Sequence, residues 1–167
     1  MHESTYKAMA EFAKTLPATP LKIADVGSYD VNGTYKPIFQ KQGWCYVGLD
    51  LAPGPNVDVV LASEYDWSNV PAESFDVVIS GQTLEHTRNP FKFVKELARI
   101  AKPGAPLCII APYQWEYHPF PIDCWRVFPD GMRAALEESG LVVLKVYMTE
   151  NPDPRWKGDT VAISQKP

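Results

Sequence analysis

Along the chain, the first clear period lies over 4–15. Apolar or small residues at Ala8, Met9, Phe12, Ala13 and Leu16 fall on one helical face, Ser4 or Thr5 is available as a cap, and Pro17 and Pro20 stop the run. The short apolar segment 21–26, ended by Gly27, predicts a strand. A short helix is expected over 34–42, weakened by Pro37. Further strands are expected over 45–49, ending at Asp50, and over 56–61, behind a Pro53-Gly54-Pro55 turn. Segment 75–80 (Phe-Asp-Val-Val-Ile-Ser) is the strongest strand signal, rich in β-branched residues. Segment 90–101 is the strongest helix, with Phe91, Val94, Leu97 and Ala98 on one face, Asn89 as its cap and Pro103-Gly104 beyond it. A strand over 107–111 and a helix over 129–139, capped by Gly140, come next. Strands over 141–148 and 160–164 follow, joined by the turn-rich stretch 151–158.

Strands alternating with helices, several of them apolar on both faces, predict an α/β domain with a mainly parallel sheet and helices on both faces. The last two strands have no helix between them and are expected to form an antiparallel edge hairpin. Internal repeats and low-complexity tracts are absent, so 1–167 reads as a single domain.

Composition narrows the function. With 167 residues, 46% hydrophobic and 22% charged, the chain can bury one sizeable core. Sixteen Lys and Arg against twenty Asp and Glu give a net charge of −4, with no basic cluster to neutralise phosphates, so no nucleic-acid partner is expected. No apolar run reaches the roughly 18–20 residues of a membrane span, and the first dozen residues lack the apolar core of a signal peptide. Three scattered cysteines, with Cys45 and Cys108 inside apolar runs, read as reduced, buried thiols of a cytoplasmic protein. Their spacing, without histidine partners, points to no metal site.

In open α/β sheets, ligands bind beyond the carboxyl ends of the strands where the strand order reverses. The first strand runs into Asp25-Val26-Gly27-Ser28-Tyr29-Asp30-Val31-Asn32-Gly33. Its two glycines let the backbone approach a ligand, although any tight strand-to-helix turn would also use glycine. Asp50, about 20 residues on, suits the hydroxyls of a ribose; a solvated carboxylate at a strand end is the simpler alternative. Beyond the third strand, Ser63, Glu64, Tyr65 and Asp66 are candidates for an adenine amino group.

Taken in order, these motifs resemble the class I S-adenosylmethionine-dependent methyltransferases, small-molecule type. The resemblance rests on Asp25-x-Gly27 with Gly33, Gly48-Leu49-Asp50, Phe75–Ser80, Leu84-Glu85-His86, and Arg99-x-x-Lys102-Pro103-Gly104, and spans about 21–141. It implies a Rossmann-like seven-stranded sheet with an antiparallel seventh strand and S-adenosyl-L-methionine as cofactor. It further implies that Asp25, Gly27, Ser28, Tyr29 and Gly33 lie around the methionine part, that Asp50 and Leu51 lie at the ribose, and that Ser80, Gly81 and Gln82 lie against the methionine segment. Two departures stand out. Tyr29 and Val31 occupy positions where the family places glycines, and the link from Asp50 to Val57 is too short for the helix most relatives carry there.

The remaining signal is the loop 112–128, much longer than the ~2–6 residues of an ordinary strand-to-helix connection and stiffened by aromatics and prolines. It reads as the wall and lid of a small-molecule acceptor pocket, or else as a plug over an apolar patch. A hydroxyl acceptor, favoured here over an amine, needs its proton removed. His118, with Asp123 beside it in sequence, and His86 after the fourth strand are the candidate bases. For His86 a structural hydrogen bond in the turn is the competing role. Arg126 suits an anionic acceptor group, or an ion pair with Asp123 or Glu116 that pins the loop. Tyr29, Tyr113 and Trp125 are candidates to face the acceptor or the sulfonium, or else simply pack. Two other readings fit the sequence: an NAD(P)-dependent reductase, and a non-catalytic domain that binds the cofactor or a partner. An exposed aromatic loop on so short a chain also suits a homodimer.

Overall fold

The computed structural model describes residues 3–40, 43–149 and 158–167. In chain order the elements are α1 (Glu3–Lys14), β1 (Lys22–Val26), α2 (Lys36–Gln40), β2 (Cys45–Asp50), β3 (Val59–Val60), β4 (Val77–Gly81), a 3-10 turn (Leu84–His86), α3 (Pro90–Ile100), β5 (Pro106–Gln114), α4 (Pro129–Glu138), β6 (Val142–Met148) and β7 (Gly158–Gln165). The seven strands form one sheet in the order β3-β2-β1-β4-β5-β7-β6. β1 to β5 are mutually parallel, while β7 lies antiparallel between β5 and β6. The expected Rossmann-like sheet with helices on both faces and an antiparallel final pair is therefore present, and β7 is wedged inside the β5–β6 edge.

Period-2 alternation builds the core. Ile23, Val77, Ile79, Cys108 and Ile110 point to one face, where Met9, Phe12 and Phe39 of α1 and α2 cover them. Ala24, Val26, Val78, Leu107 and Ile109 point to the other, under Val94 and Leu97 of α3 and Met132 and Leu136 of α4. Asn89 caps α3 through its side chain to the Lys92 N–H at 3.1 Å, with Pro90 at the first turn. Gly140 closes the region after α4 at φ +76°.

Several expected boundaries shift for local reasons. The expected strand 56–61 shrinks to Val59–Val60, because Asn56 adopts φ +67° and the Asp58 carboxylate takes the Gly48 N–H at 2.8 Å. The strand expected from 75 starts at Val77: Asp76 instead accepts from the Lys22 N–H and Lys102 Nζ, and Phe75 bridges to Ala101. On α3, Phe93 is buried where Phe91 was expected, and Phe91 is about half exposed. Cys45, expected to be buried, is exposed at the start of β2, whereas Cys108 is buried; Cys45, Cys108 and Cys124 are all free thiols. The final residues of the expected 34–42 helix, most of the 151–158 turn and His2 lie outside the described residues. Among the described residues no helix is long and apolar enough to cross a membrane.

Candidate active site

After β1 the chain steps outward to β2 and β3, then returns to place β4 on the other side of β1. The reversal leaves a crevice at the carboxyl ends of β1 and β4. A cavity of about 500 Å³ opens there, with Asp25, Gly27, Gly33, Asp50, Gly81 and Gln82 in its floor and rim. Ser28 and Tyr29 also line it. Gly27 sits at φ +81°, and a Cβ there would lie 2.0 Å from Thr83 Oγ1, so only glycine fits where the loop passes β4. The loop is hooked to the neighbouring strand by the Gly27 N–H, which donates to the Leu49 carbonyl at 2.8 Å. Asn56, which sequence reasoning did not single out, secures it from outside: its Nδ2 donates to the Ser28 carbonyl and to Thr34 Oγ1, each at 2.9 Å.

Asp25 is buried and accepts a short hydrogen bond from the Tyr46 hydroxyl. Burial pushes its carboxyl up to about 7, against the pull of that hydrogen bond, with the nearby Asp50 adding to the rise. An unfolded aspartate ionises near pH ~4. Between that pH and about 7 the folded chain therefore holds a proton that the unfolded chain has released. The stabilisation from protonated Asp25 is full below the unfolded value and is lost as pH rises through the folded one. In Asp25→Asn, the decline of Tm across this window should become shallower than in the parent. Equal slopes in calorimetric melts would refute the assignment.

Asp50 lies where two cavities meet. Its Oδ2 accepts from the Tyr29 N–H at 3.0 Å and its Oδ1 from the Ala52 N–H at 3.2 Å, which aims the carboxylate along the crevice. Beyond it is a smaller cavity of about 140 Å³, walled by Leu51, Leu61, Trp67, Phe93 and Ile122, with Glu64 and Arg88 at its edge. Asp50, Gly27, Thr83 and His86 line both spaces.

The long loop forms the far wall. β5 runs on to Gln114, so the loop proper begins at Trp115. Trp115, His118, Pro119 and Phe120 line the larger cavity, and Pro121 and Ile122 line the smaller. Within the loop, Asp123 has a side chain only 1% exposed and is paired through both oxygens to Arg126, at 2.6 and 2.7 Å. The guanidinium beside it holds the Asp123 carboxyl at about 2. Arg126 also donates to the carbonyls of Trp115, Glu116 and Trp125. Its donors thus tie the loop together, the pinning role weighed from sequence. In Arg126→Ala the buried Asp123 carboxylate loses its partner, a change that costs about 3 kcal/mol when a buried pair is broken. A lower Tm and faster proteolytic cutting within 115–127 are expected; an unchanged cutting rate would show that the loop is held otherwise.

At the floor of this wall, Glu85, His86 and His118 converge. Glu85 is fully buried on the 3-10 turn, and among the described residues neither carboxylate oxygen has a hydrogen-bond partner. Burial raises its carboxyl to about 8. His86 Nε2 lies 3.7 Å and His118 Nε2 4.0 Å from Glu85 Oε1, and the two imidazoles meet edge to face at 5.1 Å. Burial also pushes the His86 imidazole below its ordinary value. His118 is oriented by Asp123, whose Oδ2 accepts the His118 N–H at 2.8 Å and lies 3.2 Å from Nδ1.

The sequence-derived candidates therefore divide. Asp25, Gly27, Ser28, Tyr29, Gly33, Asp50, Gly81, Gln82, His86 and His118 share the larger cavity, and Leu51 and Glu64 border the smaller. Ser80 instead ties β4 to β1 through the Val26 carbonyl, and Ser63 caps its own turn at Asp66. Tyr113, Trp125 and Arg126 line neither cavity; Tyr113 packs over Gly158, and Trp125 Nε1 donates to the Thr87 carbonyl at 2.8 Å. Glu85, Thr83 and Trp115 were not proposed from sequence. For Glu85 the available signal was an acidic residue set between Leu84 and His86 directly after an apolar strand.

Residues 24–109, which carry β1 through most of β5, match the family described as "Methyltransferase domain". This chain belongs to the class I S-adenosylmethionine-dependent methyltransferases. The cofactor of this methyltransferase is S-adenosylmethionine, and the family match displaces the nicotinamide alternative. Among curated proteins, the methyltransferase is 30% identical over 99 residues to the ubiquinone biosynthesis O-methyltransferase of Hahella chejuensis, a match covering 52% of this chain and 41% of that protein. The chain thus spans less than half the length of the curated relatives it matches. Among solved structures, the 1,6-didemethyltoxoflavin-N1-methyltransferase of Burkholderia thailandensis, with bound 1,6-didemethyltoxoflavin and S-adenosylhomocysteine, superposes with a TM-score of 0.77 at 14% identity, over 98% of this chain and 79% of that one. A SAM-dependent methyltransferase from Aquifex aeolicus superposes with a TM-score of 0.70 at 19% identity, over the whole of both chains. At these identities the likeness to solved structures is one of fold.

Proposed function

We propose that this methyltransferase moves a methyl group from S-adenosylmethionine to a hydroxyl of a small molecule. The observation that carries the reading is the position of Asp50, whose carboxylate stands between the larger cavity and a smaller, more apolar one. A nucleoside laid across that junction would set its ribose hydroxyls on Asp50, its base in the slot of Leu51, Leu61 and Trp67, and its amino-acid tail against the 27–33 loop. Gly27 and Gly81 let the walls of this crevice pack closely, since Cβ atoms there would lie within 2.4 Å of Thr83 and Tyr35 atoms.

When bound, the cofactor supplies an electrophilic methyl carbon on a sulfonium. The protein's part is to hold an acceptor in line with it and to take the acceptor's proton, since alignment supplies much of the acceleration in such displacements. His86 and His118 face the larger cavity with Asp123 behind His118, so this cluster is where the acceptor hydroxyl gives up its proton. The loop wall of Trp115, Pro119 and Phe120 excludes water from one side. The curated relatives include both an O-methyltransferase and an N-methyltransferase, so the hydroxyl reading rests on the two imidazoles facing the cavity.

Calorimetric titration with S-adenosylhomocysteine, with NAD as the control ligand, tests the class. Micromolar binding of the first and none of the second is expected. An acceptor screen against hydroxyl and amine compounds then tests the chemistry. His118→Ala and Asp123→Ala should lose turnover of the acceptor found while keeping S-adenosylhomocysteine affinity, and parent rates in both would remove the cluster from the mechanism.

A further inference from the structure

We infer that Glu85, His86 and His118 form a binding site for one divalent first-row transition-metal ion, set in the wall of the large cavity. The inference deepens the functional reading above and rests on it for the ion's catalytic use.

Proton positions are the first argument. His86 Nδ1 lies 2.5 Å from the Ile122 carbonyl oxygen, and His118 Nδ1 lies 2.8 Å from the Glu116 carbonyl and 3.2 Å from Asp123 Oδ2. Carbonyls only accept, so each Nδ1 is assigned the proton and each Nε2 is left with a lone pair. Both lone pairs face Glu85, whose two oxygens have no donor among the described residues. Two imidazole lone pairs thus converge on one carboxyl that no other described group engages.

Geometry is the second. The ligand atoms of the three residues all lie within 4.8 Å of one another. Around a metal with bonds of about 2.0–2.1 Å, two ligands at a tetrahedral angle stand about 3.4 Å apart. The observed separations of 3.7 and 4.0 Å exceed this by only about 0.3 and 0.6 Å. The outer contacts of the imidazoles, a backbone carbonyl for one and a carbonyl with a carboxylate for the other, are the partners that orient metal-bound histidines. A two-histidine, one-carboxylate set suits Zn²⁺, Fe²⁺, Mn²⁺ or Co²⁺ and leaves positions open on the cavity side.

The open position gives the ion a use. An acceptor hydroxyl bound there is polarised and loses its proton to water at neutral pH, while its oxygen is fixed at the cavity wall. His86 and His118 then act as ligands, and the ion provides the acidity that a free histidine base would otherwise have to supply. Spacing along the sequence hid the cluster: Glu85 and His86 follow β4, whereas His118 follows β5, and the parallel pairing of the two strands brings the groups together.

Metal-stripped protein titrated with CoCl₂ tests the inference, read by visible ligand-field absorption and by calorimetry. One equivalent should bind with nitrogen and oxygen ligation. Glu85→Gln and His118→Ala should each weaken Co²⁺ binding at least about a hundredfold, while S-adenosylhomocysteine affinity in the same samples stays within threefold and reports intact folding. Absence of a saturable cobalt spectrum, a spectrum of thiolate ligation, or parent affinity in both variants would each overturn the site. Nucleoside binding without cobalt binding would reject the metal alone. Cobalt binding without nucleoside binding would uphold the site and reject the methyltransferase reading.

Discussion

Asp50→Ala is expected to weaken S-adenosylhomocysteine binding about a hundredfold. Two ribose hydroxyls donating to one carboxylate are charge-assisted hydrogen bonds, worth about 1.5–3 kcal/mol each, and losing both removes roughly 3 kcal/mol after water compensates in part. The change should leave the fold nearly untouched, because Asp50 is only partly buried, Tyr29 lines the open cavity and Ala52 is exposed. Calorimetry of the variant should therefore show a large loss of affinity with a Tm within a few degrees of the parent. A loss of less than threefold would move the ribose elsewhere and take the cofactor pose with it.

Trp67→Ala should have the largest effect on stability. Trp67 is 1% exposed, stands edge to face on Phe93 of α3 at 5.5 Å, and closes the small cavity from below. Truncating a buried tryptophan costs about 3–5 kcal/mol, here aggravated by a void that merges with an existing cavity. For a chain of this length that is a Tm lower by roughly 10 °C. Because the same ring walls the slot assigned to the base, ligand affinity should fall as well. Trp67→Phe, which keeps an aromatic face toward Phe93, should recover most of the stability. If Trp67→Ala melts within 3 °C of the parent, the segment 62–74 contributes little to the core.

Much of this was legible in the residues. The β-branched run before Ser80 and the apolar stripe of α3 place β4 and its crossover helix, and the turn-rich sequence 151–158, with no helical period, foretells the antiparallel pairing of the last two strands. The placement of Gly27 and Asp50 at the crevice was legible because it depends on local backbone and on position at a strand end. The rest depended on contacts remote in sequence. Whether Arg126 binds a ligand or its own loop is decided by Asp123 lying within reach of its guanidinium and by the carbonyls of Trp115 and Glu116 turning inward. Asn56 looked like the start of a strand, and only its left-handed backbone and its bonds to Ser28 and Thr34 reveal a clamp. Glu85 reads in the sequence as a helix-turn carboxylate, since its burial depends on the loop that folds over it: the Cys124 and Trp125 N–H groups both donate to the Glu85 carbonyl.

The direction of β7 has a practical side. Running opposite to its neighbour, it begins beside the crevice, where Asp159 accepts from Gln82 Nε2 at 2.8 Å, and it finishes at the other pole. There Lys166 is fastened on both sides, its carbonyl taking the Gly104 N–H at 2.9 Å and its own N–H donating to Ala105 at 3.0 Å. A sensor chip or resin coupled at this pole would hold every molecule with its cavities facing the flow, and the anchoring strand itself would resist peeling because it is paired along both edges.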